Sequence, residues 1–201
     1  MATVVIPFAG AEGKTRLHSS ARIRRALALA MFCDVLAACL QVGRTRVVTP
    51  DEEGADATRD SGGEVVADPG DGQGAAVQAG LAGVEPGAIL VVNADVPCVV
   101  PEDLRSLLAA TPAGCIALVE ALDGTTNALS LPSADVFASL YGPSSSDRFR
   151  AHAASLGLDA VAVAVPNLAD DVDTMDDLTR LQLRAGPRTQ ACLAELERSP
   201  A

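Results

Sequence analysis

The segment AILVVNADVP, residues 88–97, is the most informative part of the chain, because a short apolar run passes directly into a turn that carries Asp95. Apolar and β-branched runs of four to eight residues, bounded by turn residues, are typical of buried strands. The same pattern recurs along the chain. It predicts strands at Thr3–Phe8, Arg46–Thr49, Glu64–Ala67, Ala88–Val92, Cys115–Ala121, Asn127–Leu131 and Ala160–Val165.

Longer stretches rich in Ala and Leu separate these strands and have the spacing of helices. They predict helices at Ser19–Val42, Asp56–Gly62, Ala75–Val84, Pro101–Ala110 and Thr174–Arg184, with Thr174 as the cap of the last one. Strands that alternate with helices favour an α/β fold with a mainly parallel, twisted sheet.

Two strands break this alternation. Residues 115–121 and 127–131 are separated only by a turn that contains Gly124, which predicts a hairpin and therefore one antiparallel strand in the sheet. The length of 201 residues suits one domain, which we assign to residues 1–186. Residues 187–201 are expected to form a loosely attached C-terminal tail.

The composition argues against several classes of partner. The net charge of −11, with one Tyr and no Trp, makes a nucleic-acid partner unlikely, since such surfaces need clustered cations and stacking aromatics. No apolar run approaches the length of a membrane span, and the first residues have no signal-peptide pattern. The five cysteines form no CxxC pair. We therefore expect a cytoplasmic protein without a membrane partner.

The segment after the first strand, Ala9–Arg16, combines small residues with two cations, Lys14 and Arg16. Such loops bring backbone amides and charge to a phosphate. A Walker A loop requires a glycine where Phe8 stands, so the segment is not one. A basic loop without a ligand is the alternative interpretation.

Three aspartates follow predicted strands. Asp95 comes after the strand at 88–92, and Asp171 and Asp173 come after the last strand. Ligands bind outside the carboxyl ends of the strands in open parallel sheets, and Mg²⁺ prefers oxygen ligands shared with substrate phosphates. The alternative is that these residues cap helices.

Two further polar segments are candidates for anion binding. Residues 123–127 form the hairpin turn, and residues 141–146 form a loop rich in Gly and Ser. Backbone amides and hydroxyl groups in such segments can hold an anion without strong charge. An ordinary β-turn and a helix cap are the alternatives.

These segments together resemble a known family. The chain is similar to the 2-phospho-L-lactate guanylyltransferases and phosphoenolpyruvate guanylyltransferases over about residues 3–184. The residues that carry the resemblance are Lys14-Thr15-Arg16-Leu17, Asp95-Val96-Pro97, Gly124-Thr125-Thr126-Asn127-Ala128-Leu129, Tyr141-Gly142-Pro143 with Ser145, and Asp171-Val172-Asp173-Thr174.

The resemblance implies a Rossmann-like fold of the nucleotide-diphospho-sugar transferase type. It also implies an enzyme that transfers GMP from GTP to the phosphate of a small phosphorylated three-carbon acid. The acid would be phosphoenolpyruvate or 2-phospho-L-lactate, the other product would be pyrophosphate, and the reaction would belong to the biosynthesis of the deazaflavin coenzyme F420.

The resemblance also implies roles for individual residues. Lys14, Arg16 and Asp95 are implied to be catalytic, and Mg²⁺ is implied to bind Asp95, Asp171 and Asp173. The residues implied to bind the nucleotide are Ala9, Gly10, Lys14, Arg16, Gly74 and Asp95. Those implied to bind the acceptor are Thr126, Asn127, Gly142 and Ser145.

Some positions depart from the family pattern. Phe8 stands where lysine is usual, Gln73-Gly74 stands where Leu-Asn is usual, and Phe149 stands where histidine is common. Two alternatives therefore stay open. One is a related nucleotidyltransferase with another nucleotide or another acceptor, such as a phosphoglycerate or a phosphonate. The other is a catalytically degenerate nucleotide-binding relative. The apolar helices are compatible with a homodimer.

Overall fold

The computed structural model describes residues 2–13, 17, 19–112 and 114–198, and the strands within them belong to one sheet. In chain order the strands are β1 (Ala2–Pro7), β2 (Gly43–Thr49), β3 (Glu64–Ala67), β4 (Ile89–Val92), β5 (Cys115–Glu120), β6 (Thr126–Leu131) and β7 (Asp159–Ala162). All seven coincide with predicted strands to within a few residues, because the apolar runs between turn residues are unambiguous here.

The helices are α1 (Ala21–Leu40), α2 (Glu52–Asp60), α3 (Gln73–Leu81), α4 (Pro101–Ala109), α5 (Ser145–Ser155), α6 (Pro166–Ala169), α7 (Met175–Leu181) and α8 (Pro187–Arg198). Short 3-10 turns lie at Gly10–Gly13 and Ala134–Val136. No helix among the residues that the structure describes is long and apolar enough to cross a membrane.

The strand order is β3-β2-β1-β4-β6-β5-β7. Every neighbouring pair is parallel except the two that involve β6, which runs antiparallel to both β4 and β5. The predicted α/β fold with a mainly parallel sheet and one antiparallel strand is therefore confirmed. The chain leaves β1 toward β2 on one side and later returns to β4 on the other, which opens a crevice at the carboxyl ends of β1 and β4.

Alternating side chains of the strands face two apolar layers. Val4 and Ile6 of β1 pack with residues of α1, α4 and α6 on one face of the sheet. Val5 packs with residues of α3 and α5 on the other face. Helices thus cover both faces, as expected for strands that are apolar over their whole length.

N-cap side chains define the starts of α1, α2 and α7. Ser20 accepts a hydrogen bond from the amide of Ile23 at the start of α1. Thr174 caps α7 as predicted, together with the carboxylate of Asp177. The predicted start of α2 at Asp56 is wrong, because the helix begins at Glu52, four residues earlier. Asp51 is its N-cap and accepts a hydrogen bond from the amide of Gly54.

The C-terminal segment is a correction to the sequence prediction. Residues 187–198 form α8, in contrast to the expected loosely attached tail. The carboxylate of Asp34, a residue of α1, accepts hydrogen bonds from the amides of Arg188 and Thr189 at 3.0 and 2.8 Å and so caps α8. A side chain at position 186 would collide with Asp34, since a Cβ on Gly186 would lie 2.3 Å from its Cγ.

A third apolar cluster connects α8 to the rest of the domain. Leu27 and Met31 of α1 are fully buried in it beside Leu178 and Leu181 of α7, and Leu193 and Leu196 of α8 pack against it. This cluster stabilises the segment that carries Asp171 and Asp173, because Val172 between them belongs to the same cluster.

Candidate active site

Three aspartates meet at the carboxyl ends of the central strands. Asp95 lies just beyond β4, and Asp171 and Asp173 lie in the segment between α6 and α7. The amide of Val172 donates a hydrogen bond of 2.9 Å to the carbonyl oxygen of Asp95, which joins the two segments. One carboxylate oxygen from each aspartate lies within 4.8 Å of those of the other two.

The electrostatics of this cluster are unfavourable for bare carboxylates. Burial raises the pKa of Asp171 to about 6, and the nearby negative charges of Asp95 and Asp173 act in the same direction. A hydrogen bond of 3.2 Å from the side-chain amide of Asn127 opposes the rise. Like charges held this close are typical of a site that receives a cation.

The donor set fits Mg²⁺, which binds through one or two carboxylates and keeps other positions for water and substrate oxygens. The alternative role of these aspartates, helix capping, is filled by other residues in α7, since Thr174 and Asp177 form the cap there. Asp95, Asp171 and Asp173 are therefore the residues that could hold the metal, and this assignment stays a prediction.

A first cavity of about 430 Å³ opens beside β1 and β4. Ala9, Gly10 and Asp95, all assigned to the nucleotide by the resemblance, line it. We name it the nucleotide cavity. Gly10 has a φ of +68° and sits so close to Asp51 that a Cβ would lie 2.9 Å from a carboxylate oxygen. Glycine at this position lets the chain turn tightly under the cavity.

The remaining residues assigned to the nucleotide are Lys14, Arg16 and Gly74. Lys14 and Arg16, like His18, lie outside the described residues, so their roles stay predictions. Gly74 is buried at the start of α3 and does not line the cavity. A Cβ at Gly74 would lie 1.7 Å from the hydroxyl oxygen of Ser139, so the side chain of Ser139 occupies the space beside this glycine. A contact between the nucleotide and Gly74 is not supported by this placement.

Phe8, the departure from the lysine usual in the family, is part of the core at the wall of the nucleotide cavity. Its ring stacks on Phe32 with 4.2 Å between centroids, and only 5% of it is exposed. A side chain at Gly54 would collide with the same ring, because a Cβ there would lie 2.6 Å from Cε1. Phe8 therefore has a structural role that a neighbouring glycine accommodates.

A second cavity, of about 500 Å³, lies between β6, the hairpin turn and the start of α5. All four residues assigned to the acceptor line it: Thr126, Asn127, Gly142 and Ser145. We name it the acceptor cavity. The hydroxyl of Ser145 donates to that of Thr126 at 3.2 Å, and both side chains are buried. Their hydrogen bonds fix the start of α5 at the cavity wall, where the positive end of the helix dipole favours an anion.

The two cavities meet at the aspartate cluster. Gln73, Asn93 and Asp173 line both cavities, whereas Asp95 lines only the nucleotide cavity and Asp171 only the acceptor cavity. The structure therefore brings the predicted metal and acceptor residues together around one junction with Ala9 and Gly10, two of the residues assigned to the nucleotide. The arrangement suits a reaction between two bound molecules beside a cation.

Sequence reasoning missed three polar side chains that line these cavities: Asp68, Gln73 and Asn93. Asp68 and Asn93 come directly after β3 and β4, and that position was the available signal; Gln73 begins α3 and had no comparable signal. His152 has its Nε2 2.9 Å from the carbonyl oxygen of Val136 and lines neither cavity.

Comparisons with known proteins agree with this geometry. Residues 21–161 match the family model of the MobA-like NTP transferase domain. The chain is 36% identical over 200 residues to a phosphoenolpyruvate guanylyltransferase of Nocardia farcinica, with 92% of this chain and 87% of that protein covered. It is 33% identical to a phosphoenolpyruvate guanylyltransferase of Mycolicibacterium smegmatis, with 90% of this chain and 85% of that protein covered.

Solved structures agree in fold. A protein of Desulfovibrio desulfuricans G20, proposed to be a nucleotide-diphospho-sugar transferase, superposes with a TM-score of 0.75 at 16% identity and covers 98% of this chain and 95% of its own. A nucleotidyl transferase of Methanothermobacter superposes with a TM-score of 0.69 at 19% identity. The superposition covers 97% of this chain and 99% of that protein. The fold is therefore of the nucleotide-diphospho-sugar transferase type.

Proposed function

The chain belongs to the phosphoenolpyruvate guanylyltransferase family, and we propose that it transfers GMP from GTP to the phosphate of phosphoenolpyruvate and releases pyrophosphate. It is thus a guanylyltransferase built on a MobA-like NTP transferase domain. The product would be an intermediate in the biosynthesis of coenzyme F420, and the cytoplasm is the compartment that we propose for it. A homodimer stays a prediction.

The observation that carries this proposal is the junction of the two cavities at Asp95, Asp171 and Asp173. A nucleotide in one cavity and a phosphorylated acid in the other would have their phosphates side by side at the carboxylates. Holding two reactants in this way replaces a bimolecular encounter by a reaction within one complex, which is a major source of rate enhancement.

The chemistry needs little from acid–base groups. An oxygen of the acceptor phosphate forms a bond to the α-phosphorus of GTP, while the bond from that phosphorus to the bridging oxygen of the β-phosphate breaks. Pyrophosphate leaves with the electron pair. The attacking oxygen is already anionic at neutral pH, so no general base is required, in keeping with the position of His152 away from both cavities.

Charge neutralisation is the larger requirement, because the three phosphates of GTP, the phosphate of the acceptor and its carboxylate converge on a protein of net charge −11. Asp95, Asp171 and Asp173 would hold Mg²⁺, which neutralises phosphate oxygens and polarises the reacting phosphoryl group when bound. Lys14 and Arg16 are proposed to bind the triphosphate. The start of α5 and the hydrogen-bonded Thr126 and Ser145 would orient the acceptor.

The departures from the family pattern do not favour a degenerate relative. Phe8 is stacked in the core and Gly74 is packed against Ser139, so both substitutions are accommodated without altering the three carboxylates. The relatives at 33–36% identity are named for phosphoenolpyruvate and guanylyl transfer, which favours these substrates over another nucleotide or acceptor.

The test is pyrophosphate release by the purified protein with Mg²⁺ and GTP, with phosphoenolpyruvate, 2-phospho-L-lactate or 3-phosphoglycerate supplied in turn. We expect release that depends on phosphoenolpyruvate and is abolished by a chelator. Preferred release with another acceptor would correct the substrate and keep the reaction type. A folded protein that releases no pyrophosphate with any acceptor or nucleotide would contradict the proposal.

A further inference from the structure

Three side-chain amides connect the start of α3 to the aspartate cluster. Gln73 Nε2 donates to Asn93 Oδ1 at 2.7 Å, Asn93 Nδ2 donates to Asn127 Oδ1 at 3.3 Å, and Asn127 Nδ2 donates to Asp171 Oδ1 at 3.2 Å. We name this set the amide chain. It runs from a residue that lines both cavities to a carboxylate of the acceptor cavity.

The direction of the amide chain is fixed at its carboxylate end. An ionised carboxylate only accepts hydrogen bonds, so Asn127 must present its NH₂ group to Asp171. The same NH₂ group donates to the carbonyl oxygen of Ala169 at 3.3 Å, which uses its second hydrogen. The carbonyl oxygen of Asn127 is thereby turned toward Asn93.

The same reasoning applies to the next link. Asn93 uses both hydrogens of its NH₂ group, one on Asn127 Oδ1 and one on the backbone carbonyl of Thr126 at 3.4 Å. Its own oxygen must then face Gln73, whose NH₂ group satisfies it. Reversing any one amide would place two oxygens against each other, so each link holds the orientation of the next.

We infer that Gln73 is a positioning residue, which orients the carboxylate of Asp171 for the metal through Asn93 and Asn127. This inference rests on the proposed function, because it assigns a divalent cation to the aspartate cluster. Asn127 is the direct support of Asp171 and is 2% exposed. Gln73 closes the chain at its far end and keeps Asn93 from turning its oxygen toward Asn127.

The test is the affinity for Mn²⁺, measured by electron paramagnetic resonance without nucleotide or acceptor. Gln73→Leu keeps the approximate size of the side chain and removes its amide. We expect the Kd for Mn²⁺ to rise about tenfold, the lower end of the effect of groups that hold a metal ligand in place. Gln78→Leu is the matched control, because Gln78 is exposed on the same helix and lines neither cavity.

A second variant separates a connected chain from independent contacts. Asn93→Leu should raise the Kd at least as much as Gln73→Leu, and the double variant should raise it no further than Asn93→Leu alone, because both changes break one chain. The concentration of Mg²⁺ that gives half-maximal turnover should rise in parallel. The unfolding midpoints of Gln73→Leu and Gln78→Leu should agree, which excludes a general loss of stability.

Three results would overturn the inference: unchanged Mn²⁺ affinity in Gln73→Leu, additive effects in the double variant, or a native protein that binds no Mn²⁺. Failure of the proposed function has a different signature. A native protein that binds Mn²⁺ and loses affinity in Gln73→Leu, but releases no pyrophosphate, would retain the positioning role and refute only the guanylyltransferase reaction.

Discussion

Asp173 is the carboxylate that lines both cavities, so it is the aspartate from which the largest effect is expected. Asp173→Asn keeps the shape of the side chain and removes one charge from the metal site. We expect a folded protein whose kcat is lower by about 100-fold or more, because the cation would lose a ligand that faces both substrates. Steady-state pyrophosphate release at saturating substrates measures it.

Asp176→Asn is the matched control, since Asp176 is an exposed acid three residues away in the first turn of α7. It should leave kcat unchanged. Full activity of Asp173→Asn at ordinary Mg²⁺ concentrations would remove Asp173 from the metal site.

Asp68 is expected to select the base. Asp68 lines the nucleotide cavity just beyond the end of β3. Because β3 and β4 are three strand spacings apart in the sheet, Asp68 lies about 14 Å from the end of β4, which Asp95 follows. Its carboxylate is held by a hydrogen bond of 2.8 Å from the amide of Gly70. A carboxylate can accept from both the ring N–H and the exocyclic amino group of guanine, whereas an amide offers one acceptor only.

Asp68→Asn should lower kcat/KM for GTP about tenfold and change kcat/KM for ITP, which lacks the amino group, much less. Asp71→Asn, in the same exposed loop, should change neither value. If the ratio of kcat/KM for GTP to kcat/KM for ITP is the same in Asp68→Asn as in the native protein, base selection belongs to other groups.

Arg46 is the residue that joins three elements at one edge of the sheet. Its guanidinium donates to Glu64 of β3 and to the carbonyl oxygens of Gly80 and Ala82 at the end of α3. Only 13% of its side chain is exposed, whereas Arg44, which contacts the same glutamate, is 66% exposed.

Arg46→Met should therefore lower the free energy of unfolding by about 2 kcal/mol, because the last carbonyls of α3 lose a charged donor. The corresponding fall in Tm is about 6 °C. Arg44→Met should cost less than about 1 kcal/mol, as is usual for exposed ion pairs. Thermal unfolding followed by circular dichroism distinguishes the two, and equal effects would contradict this account.

The ion pairs of Glu64 with Arg44 and Arg46 make the free energy of unfolding depend on pH. Partial burial would raise the pKa of Glu64, but hydrogen bonds and charge from Arg44 and Arg46 outweigh burial and hold the pKa below 4.5. A lowered pKa in the folded state means that the ionised form stabilises the fold at pH values above 4.5. That contribution is lost as the pH falls through the folded-state pKa.

Glu64→Gln should therefore be less stable than the native protein at pH 7, and the difference should shrink as the pH falls below 4.5. Urea unfolding at a series of pH values measures it. A difference that is constant from pH 7 to pH 3 would show that the charge of Glu64 does not contribute.

For the molecule as a whole, α8 is expected to be required for stability. Deleting residues 187–201 exposes the cluster of Leu27, Met31, Leu178 and Leu181, and large apolar side chains contribute about 1.5–3 kcal/mol each when fully buried. Because part of that area stays covered by α1 and α7, we expect a loss of about 3–6 kcal/mol and weaker Mn²⁺ binding, since Val172 belongs to the same cluster.

Asp34→Ala should have a smaller effect of about 1–2 kcal/mol, because it removes the cap of α8 but keeps its apolar contacts. Glu197→Ala, at an exposed position of α8, is the control that should change neither quantity. Truncation without loss of stability would restore the loosely attached tail that the sequence suggested.

The sequence by itself determined the features that depend on neighbours along the chain. Apolar runs, turn residues and helix caps identified the strands, the antiparallel β6 and the start of α7, because the backbone responds to these signals locally. Asp95, Asp171 and Asp173 were assigned together because each follows a strand that the sequence predicts, although α6, which lies between β7 and Asp171, was not predicted.

Only the tertiary structure decided the features that depend on which elements become neighbours. Asp34 caps a helix that begins more than 150 residues later, and Gly74 packs against Ser139. Gln73 is connected to Asp171 through the side chains of Asn93 and Asn127. Hydrogen bonds and close packing act over a few ångströms regardless of separation along the chain. No local pattern therefore contains these contacts, and the strand order had to be known before the two cavities could be seen to share one junction.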